Sequence, residues 1–137
     1  MQKGVIKLKV WIKAVISIAA IFIVIVISSM LVDNYLESSS QKIADYIENI
    51  EIYARNNDWH KAKETLFILE KQWAETQSKW SMLIDHNEID NIDISLTKVS
   101  AYIEEREQKL ALAELSSLKQ MVKHIPKKEA LALENVL

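Results

Sequence analysis

Apolar residues follow two distinct patterns along this chain. From Ala14 to Val32, nineteen successive residues carry no charge, and Ile16, Ile18, Phe22, Val24, Ile25 and Ile27 leave the segment without a charged side. From Asp33 onward the apolar residues return in alternating steps of three and four, the spacing of a single stripe on an α-helix. The clearest seam is Trp59, Ala62, Leu66, Leu69, Trp73, Thr76, Trp80 and Leu83, which predicts a helix from about Asp58 to Ile84. Lys61, Lys63, Glu64, Glu70, Lys71 and Glu75 form its polar face, and Asn57 or Asp58 supplies the side-chain oxygen that caps its first free amides.

An earlier helix is predicted from about Tyr35 to Arg55, with Leu36, Ile43, Tyr46, Ile47, Ile50 and Tyr53 turned inward. No strong breaker separates it from the apolar segment, although Ser38, Ser39 and Ser40 weaken the helix there, because short hydroxyl side chains compete for backbone hydrogen bonds. A third helix spans about Glu88 to Lys109 on a seam of Ile89, Ile92, Leu96, Val99, Ile103 and Leu110. A fourth spans about Ala111 to Ile125 through Leu112, Leu115, Leu118, Met121 or Val122, and Ile125, and Pro126 is expected to stop it. The absence of Gly and Pro between Gln108 and Ala113 leaves open that the third and fourth are one bent helix. Helices with one apolar stripe must bury it, so connections at Asn56 to Asp58 and Asp85 to Asn87 should fold them into a small antiparallel bundle of three to four helices. The tail Lys127 to Leu137, with Leu131, Leu133, Val136 and Leu137, is assigned either to the open end of the bundle or to lipid or a partner's groove.

The uncharged segment has the length of a membrane span: nineteen residues reach about 28 Å, close to the roughly 30 Å of a hydrocarbon core. Only a helix satisfies its own backbone there. Trp11 and Tyr35 frame the segment at interfacial depth. Lys3, Lys7, Lys9 and Lys13 precede it without an acidic residue, while all nineteen Asp and Glu follow it. Residues 1–13 are therefore expected in the cytoplasm and residues 33–137 outside it, on a single-pass anchor in the plasma membrane. A secretory signal peptide shares these features, but the apolar run is longer than its usual core and no A-x-A-like site follows. With the first helix rising from the membrane, the Asn56 turn is distal and the Asp85 to Asp93 segment lies near the lipid surface.

Composition narrows the class further. One Gly and one Pro in 137 residues exclude the many tight turns of β-sandwiches and doubly wound α/β folds, so the fold class is all-α. Without Cys there is no disulfide framework, thiolate metal site or lipoprotein acceptor. Thirteen Lys and Arg against nineteen acidic residues from Asp33 onward make that part acidic, which disfavours nucleic acid as a partner.

Asp85, His86, Glu88, Asp90 and Asp93 place four carboxylates and an imidazole within nine residues. Such oxygen-rich clusters can hold a hard cation, although the spacing is not an EF-hand: the Gly and the terminal bidentate Glu are lacking. The plainer reading is a solvated connection whose carboxylates favour the positive N-terminal end of the third helix. Trp59, Trp73 and Trp80 fall on one stripe and are assigned to the core, with a bundle-edge Trp as an alternative partner anchor. Ser81, Asp85 and His86 suggest a hydrolase only superficially, because no nucleophile elbow or oxyanion loop accompanies them. No P-loop, dinucleotide fingerprint or His-Glu-x-x-His sequence is present, and no cofactor is expected.

The stretch Trp80-Ser-Met-Leu-Ile-Asp85-His86-Asn-Glu88-Ile-Asp90-Asn-Ile-Asp93-Ile-Ser-Leu resembles a Firmicute family of short single-span proteins described only as a domain of unknown function. The later segments Ala113-Glu-Leu-Ser-Ser-Leu-Lys, His124-Ile-Pro126 and Leu133-Glu-Asn-Val-Leu137 carry the same resemblance. It implies a Gram-positive, membrane-anchored helical protein and brings no catalytic residue. The expected function is non-enzymatic contact with another membrane or envelope protein. The alternative is an extracytoplasmic ligand or cation sensor built on Asp85 to Asp93.

Overall fold

The computed structural model describes the backbone of residues 2–134 and the side chains of residues 11–129. The side chains of Lys3, Lys7 and Lys9, and of the tail residues Leu131, Leu133, Val136 and Leu137, lie outside the described residues. Four helices follow in chain order: α1 (Gln2–Arg55), α2 (Trp59–Trp80), α3 (His86–Glu104) and α4 (Gln108–Glu134). No strand occurs among the described residues. The chain divides into two compact units, Met1–Val32 and Asp33–Leu137.

In the first unit, the described side chains face outward nearly all round the helix, among them Ile16, Ile18, Phe22 and Val24. Its most apolar window has a mean hydropathy of 3.0 and no buried share, so the helix is long and apolar enough to cross a membrane. Ser17 and Ser28 donate their hydroxyls to the carbonyls of Lys13 and Val24, one turn back. This removes their polarity from the surface of the segment.

In the second unit, the latter part of α1 and helices α2 to α4 form an up-down-up-down bundle. Cross-helix bonds fix each neighbour as antiparallel. Trp80 joins α2 to Ser39 of α1, Trp73 joins α2 to Asp93 of α3, Ser95 joins α3 to Glu114 of α4, and Ser40 joins α1 to Val122 of α4. The core matches the predicted stripes closely: Ala62, Leu66, Leu69, Trp73, Thr76 and Trp80 are the buried face of α2, and Ile89, Ile92, Leu96, Val99 and Ile103 lead that of α3. Trp73 and Trp80 meet edge to face, with ring centroids 5.7 Å apart and planes at 88°, the arrangement favoured by the ring quadrupoles. Trp59, at the start of α2, is half-buried.

Several boundaries differ from the sequence reading. Helix α2 ends at Trp80, not Ile84, and α3 begins at His86, so the connection precedes Asp85. Asp85 is the N-cap of α3: its Oδ1 accepts from the Asn87 backbone amide at 2.8 Å, which draws His86 and Asn87 into the first turn. Residues 88–125 form parts of two helices. Helix α3 stops at Glu104, and Leu110, assigned to its seam, is exposed on α4.

The stop is a Schellman turn without glycine. Arg106 takes φ 58°, its amide donates to Ile103 and that of Glu107 to Tyr102. The end of α1 repeats this geometry with Asn57 at φ 56° and bonds from Asn57 to Ala54 and from Asp58 to Tyr53. Gln108 then reaches back, its Nε2 donating to the Arg55 carbonyl at 3.2 Å and, as a second donor beside Asn57, to the Ala54 carbonyl at 2.8 Å.

Pro126 does not stop α4, which continues to Glu134. A proline inside a helix withholds the amide that would bond the carbonyl four residues earlier, here Val122. The buried hydroxyl of Ser40 in α1 donates to that same Val122 oxygen at 2.9 Å. The missing bond is thus supplied by another helix, and the helix can continue.

Candidate functional site

The acidic segment singled out in the sequence is distributed by α3 among different neighbours. Asp85 is occupied in capping, accepting from the Asn87 backbone and from Asn87 Nδ2 at 2.9 Å. Glu88 points to α4 and accepts from Lys128 Nζ at 2.6 Å, and the Lys128 ammonium is raised above its ordinary pKa mainly by that hydrogen bond. Asp93 points to α2. One of its oxygens accepts from the Trp73 indole and the other from Gln77 Nε2, both at 2.6 Å.

His86 and Asp90 face solvent. Among the described residues, no three His, Cys, Asp or Glu side chains converge as a metal-holding group. The segment's visible chemistry is to start α3 and to join it to α2 and α4.

Ser81 and Asp85 likewise have local partners. Ser81 Oγ donates to the Ser78 carbonyl at 3.1 Å, while Asp85 holds Asn87. Trp11 lies on the apolar unit at 72% exposure. Tyr35 belongs to the bundle, half-buried, with the Lys79 ammonium 5.5 Å from its ring centroid.

Of the polar groups inside the bundle, periodicity placed Thr76 on the seam of α2 and missed Ser40, Glu51 and Ser95. Ser40, Glu51, Thr76 and Ser95 are buried, and each has a partner: Val122 O, Lys119 Nζ at 2.6 Å, Gln72 O and Glu114 Oε1. Ser39 accepts from the fully buried Trp80 indole at 2.9 Å while its own proton goes to Tyr35 O. Two of the three serines that weaken the helix in the sequence, Ser39 and Ser40, therefore serve as cross-helix bonds. A proline with a serine available 82 residues before its i−4 carbonyl leaves no local signature, because the pairing exists only in the folded bundle.

The surface holds an open groove of 420 Å³ along α4, lined by Lys119, Gln120, Lys123, His124 and Lys127. These residues fall at i, i+1, i+4, i+5 and i+8, one face of the helix, and three of the five are lysines. A smaller polar groove of 190 Å³ runs between α1 and α2 past Tyr35, Lys42, Glu75 and Lys79.

Against known proteins, the family described as "Domain of unknown function (DUF4363)" matches residues 30–136, a range that begins at the end of the apolar segment and takes in the bundle. No curated protein and no solved structure matches the chain.

Proposed function

Because the chain belongs to the DUF4363 family through its helical bundle, we propose that it is a single-pass, membrane-anchored protein whose bundle makes non-enzymatic contact with another membrane or envelope protein. The observation that carries the anchored reading is the apolar unit: its most apolar window has a mean hydropathy of 3.0 and no buried share. Such a surface is stable in lipid and not in water. The lysines before it and the acidic residues after it favour an extracytoplasmic bundle.

The contact role draws support from the disposition of side chains in the bundle. Its buried carboxylate Glu51 and the half-buried Asp93 and Glu114 are engaged in joining helices. Large apolar side chains stand on outer surfaces, among them Phe67 at 58% exposure and Ile94 at 55%. These are anchors of the kind that fill a partner's pockets. Isolation of the full chain from native membranes in mild detergent after crosslinking should recover one partner in fixed stoichiometry, with Phe67→Ala reducing the yield. Repeated recovery of the chain alone, or of a chain that extracts as a soluble protein, would overturn the reading.

A further inference from the structure

The groove on α4 reverses the charge of the unit that carries it. Residues 33–137 hold an excess of acidic over basic side chains, yet the run from Lys119 to Lys128 contains four lysines, one histidine and no carboxylate. Two of those lysines are engaged: Lys119 pairs with Glu51 of α1 and Lys128 with Glu88 of α3, each at 2.6 Å. Between them Lys123 and Lys127, one turn apart, are exposed and have no ion-pair partner among the described residues. Gln120 and His124 add hydrogen-bonding groups to the same groove.

Lysines near a helix C-terminus ordinarily offset the negative end of the helix dipole. Helix α4 continues to Glu134, and its last turn contains no basic residue, so the stripe lies too far back for that role. Its position in the bundle suggests another. The Ser40 to Val122 bond sets the groove beside the part of α1 that begins the bundle, about two turns from Asp33. Asp33 is joined directly to Val32, the last residue of the apolar segment, so the groove occupies the tethered end of the bundle.

We propose that this groove binds the phosphate headgroups of anionic phospholipids in the bilayer that holds the apolar segment, a proposal that rests on the anchored reading above. Lysine ammoniums act as compact point charges toward phosphate and need no fixed bidentate geometry, which suits mobile headgroups. Gln120 and His124 can donate to phosphate or glycerol oxygens beside them. Glu51 is paired with Lys119 of the groove and Glu88 with Lys128 beside it, so each of these carboxylates is matched by a lysine other than Lys123 and Lys127.

The test uses the full chain in nanodiscs of phosphatidylcholine alone or of phosphatidylcholine with phosphatidylglycerol. A water-soluble amine reagent and peptide mass spectrometry report the labelling rate of each lysine. Lys123 and Lys127 should label about tenfold more slowly in the anionic discs, from two surface lysines each attracted to anionic lipid. Exposed Lys109, at the other end of α4, should be unchanged. The slowing should fade as salt is raised.

The double variants K123E/K127E and K123Q/K127Q should enter both kinds of disc while losing the rise in melting temperature that anionic lipid gives the parent chain. Equal labelling of Lys123 and Lys127 in the two lipids would overturn the proposal, as would equal protection of Lys109. Equal protection in neutral discs on adding inorganic phosphate would assign the groove to a soluble anion instead. Failure of the chain to enter neutral discs would overturn the anchored reading itself, an outcome separate from any result on the groove.

Discussion

Helix α1 passes through both units of this protein, and its two portions handle apolar side chains in opposite ways. Around residues 14–32 they cover the helix on every side and are buried against nothing in the chain, whereas from Asp33 to Arg55 they are gathered on a stripe with Leu36, Ile43, Ile47 and Ile50 enclosed. Backbone hydrogen bonding is the same in both. The difference is in what covers each portion: the first leaves its apolar surface bare and is long and apolar enough to cross a membrane, while the second is enclosed by three other helices. A helix is thus a neutral support, and the distribution of its side chains selects the environment.

Substitutions can separate the two portions. Replacing both Ile21 and Ile25 by Asp places two charges at the middle of the apolar segment, for about 5 kcal/mol or more of lost insertion free energy. The protein should shift from the carbonate-resistant membrane fraction to the soluble one. Retention of the doubly charged segment in the membrane would erase the distinction between the two portions. In the bundle, Trp80→Ala empties a fully enclosed site and strands Ser39. It should lower bundle stability by about 4 kcal/mol in chemical denaturation and leave membrane retention unchanged.

Smaller effects resolve the polar joints. Asp93→Ala leaves the Trp73 indole and the Gln77 amide without their shared acceptor, for about 2 kcal/mol, and Asp93→Asn should recover part of it. Ser40→Ala should cost about 1.5 kcal/mol by exposing the Val122 carbonyl as an unmet acceptor. In a Pro126→Ala background the same substitution should cost much less, because the restored amide bonds Val122 from within α4. Additive effects of the two changes would refute the compensation.

The weakest effect concerns pH. Asp58, the N-cap of α2, is held below the usual carboxylate pKa first by its side-chain hydrogen bond with Lys61 and then by the Lys61 backbone amide. A depressed folded pKa adds stability that is present above the unfolded value and is lost as pH falls through the folded one. The melting temperature should therefore decline on acidification, and Asp58→Asn should shallow that decline slightly. Lys61 and Lys128 have raised folded pKa values, so their contributions are present below the unfolded lysine value and fade as strongly alkaline pH passes the folded one.

Much of this architecture was legible because the core is periodic. Ala62, Leu66, Leu69, Trp73 and Trp80 announce the buried face of α2, and Asp58 announces its start. Asn57 at positive φ is also readable, since asparagine tolerates that region, whereas Arg106 at the same kind of turn is not. The break after Glu104 lacks a glycine signal and is held by Schellman bonds that exist only once the helix has formed.

The acidic segment shows the limit of composition. Four carboxylates crowded in sequence diverge in space because a helix rotates each residue by about 100°, and Glu88 and Asp93 consequently meet different helices. Local rules read Pro126 as a terminus for the same reason that they read Ser40 as a weakness: each residue is a defect alone.

The Ser40 bond also bears on how the distal stretch of α4 opens. Past Pro126 the helix lacks one rung of its own ladder, and the substitute is held by α1. Terminal turns usually fray independently of their neighbours, but here amide exchange after Pro126 should report undocking of the two helices. Excised as a peptide, α4 would lose its order beyond the proline first, its helicity there being borrowed across an interface.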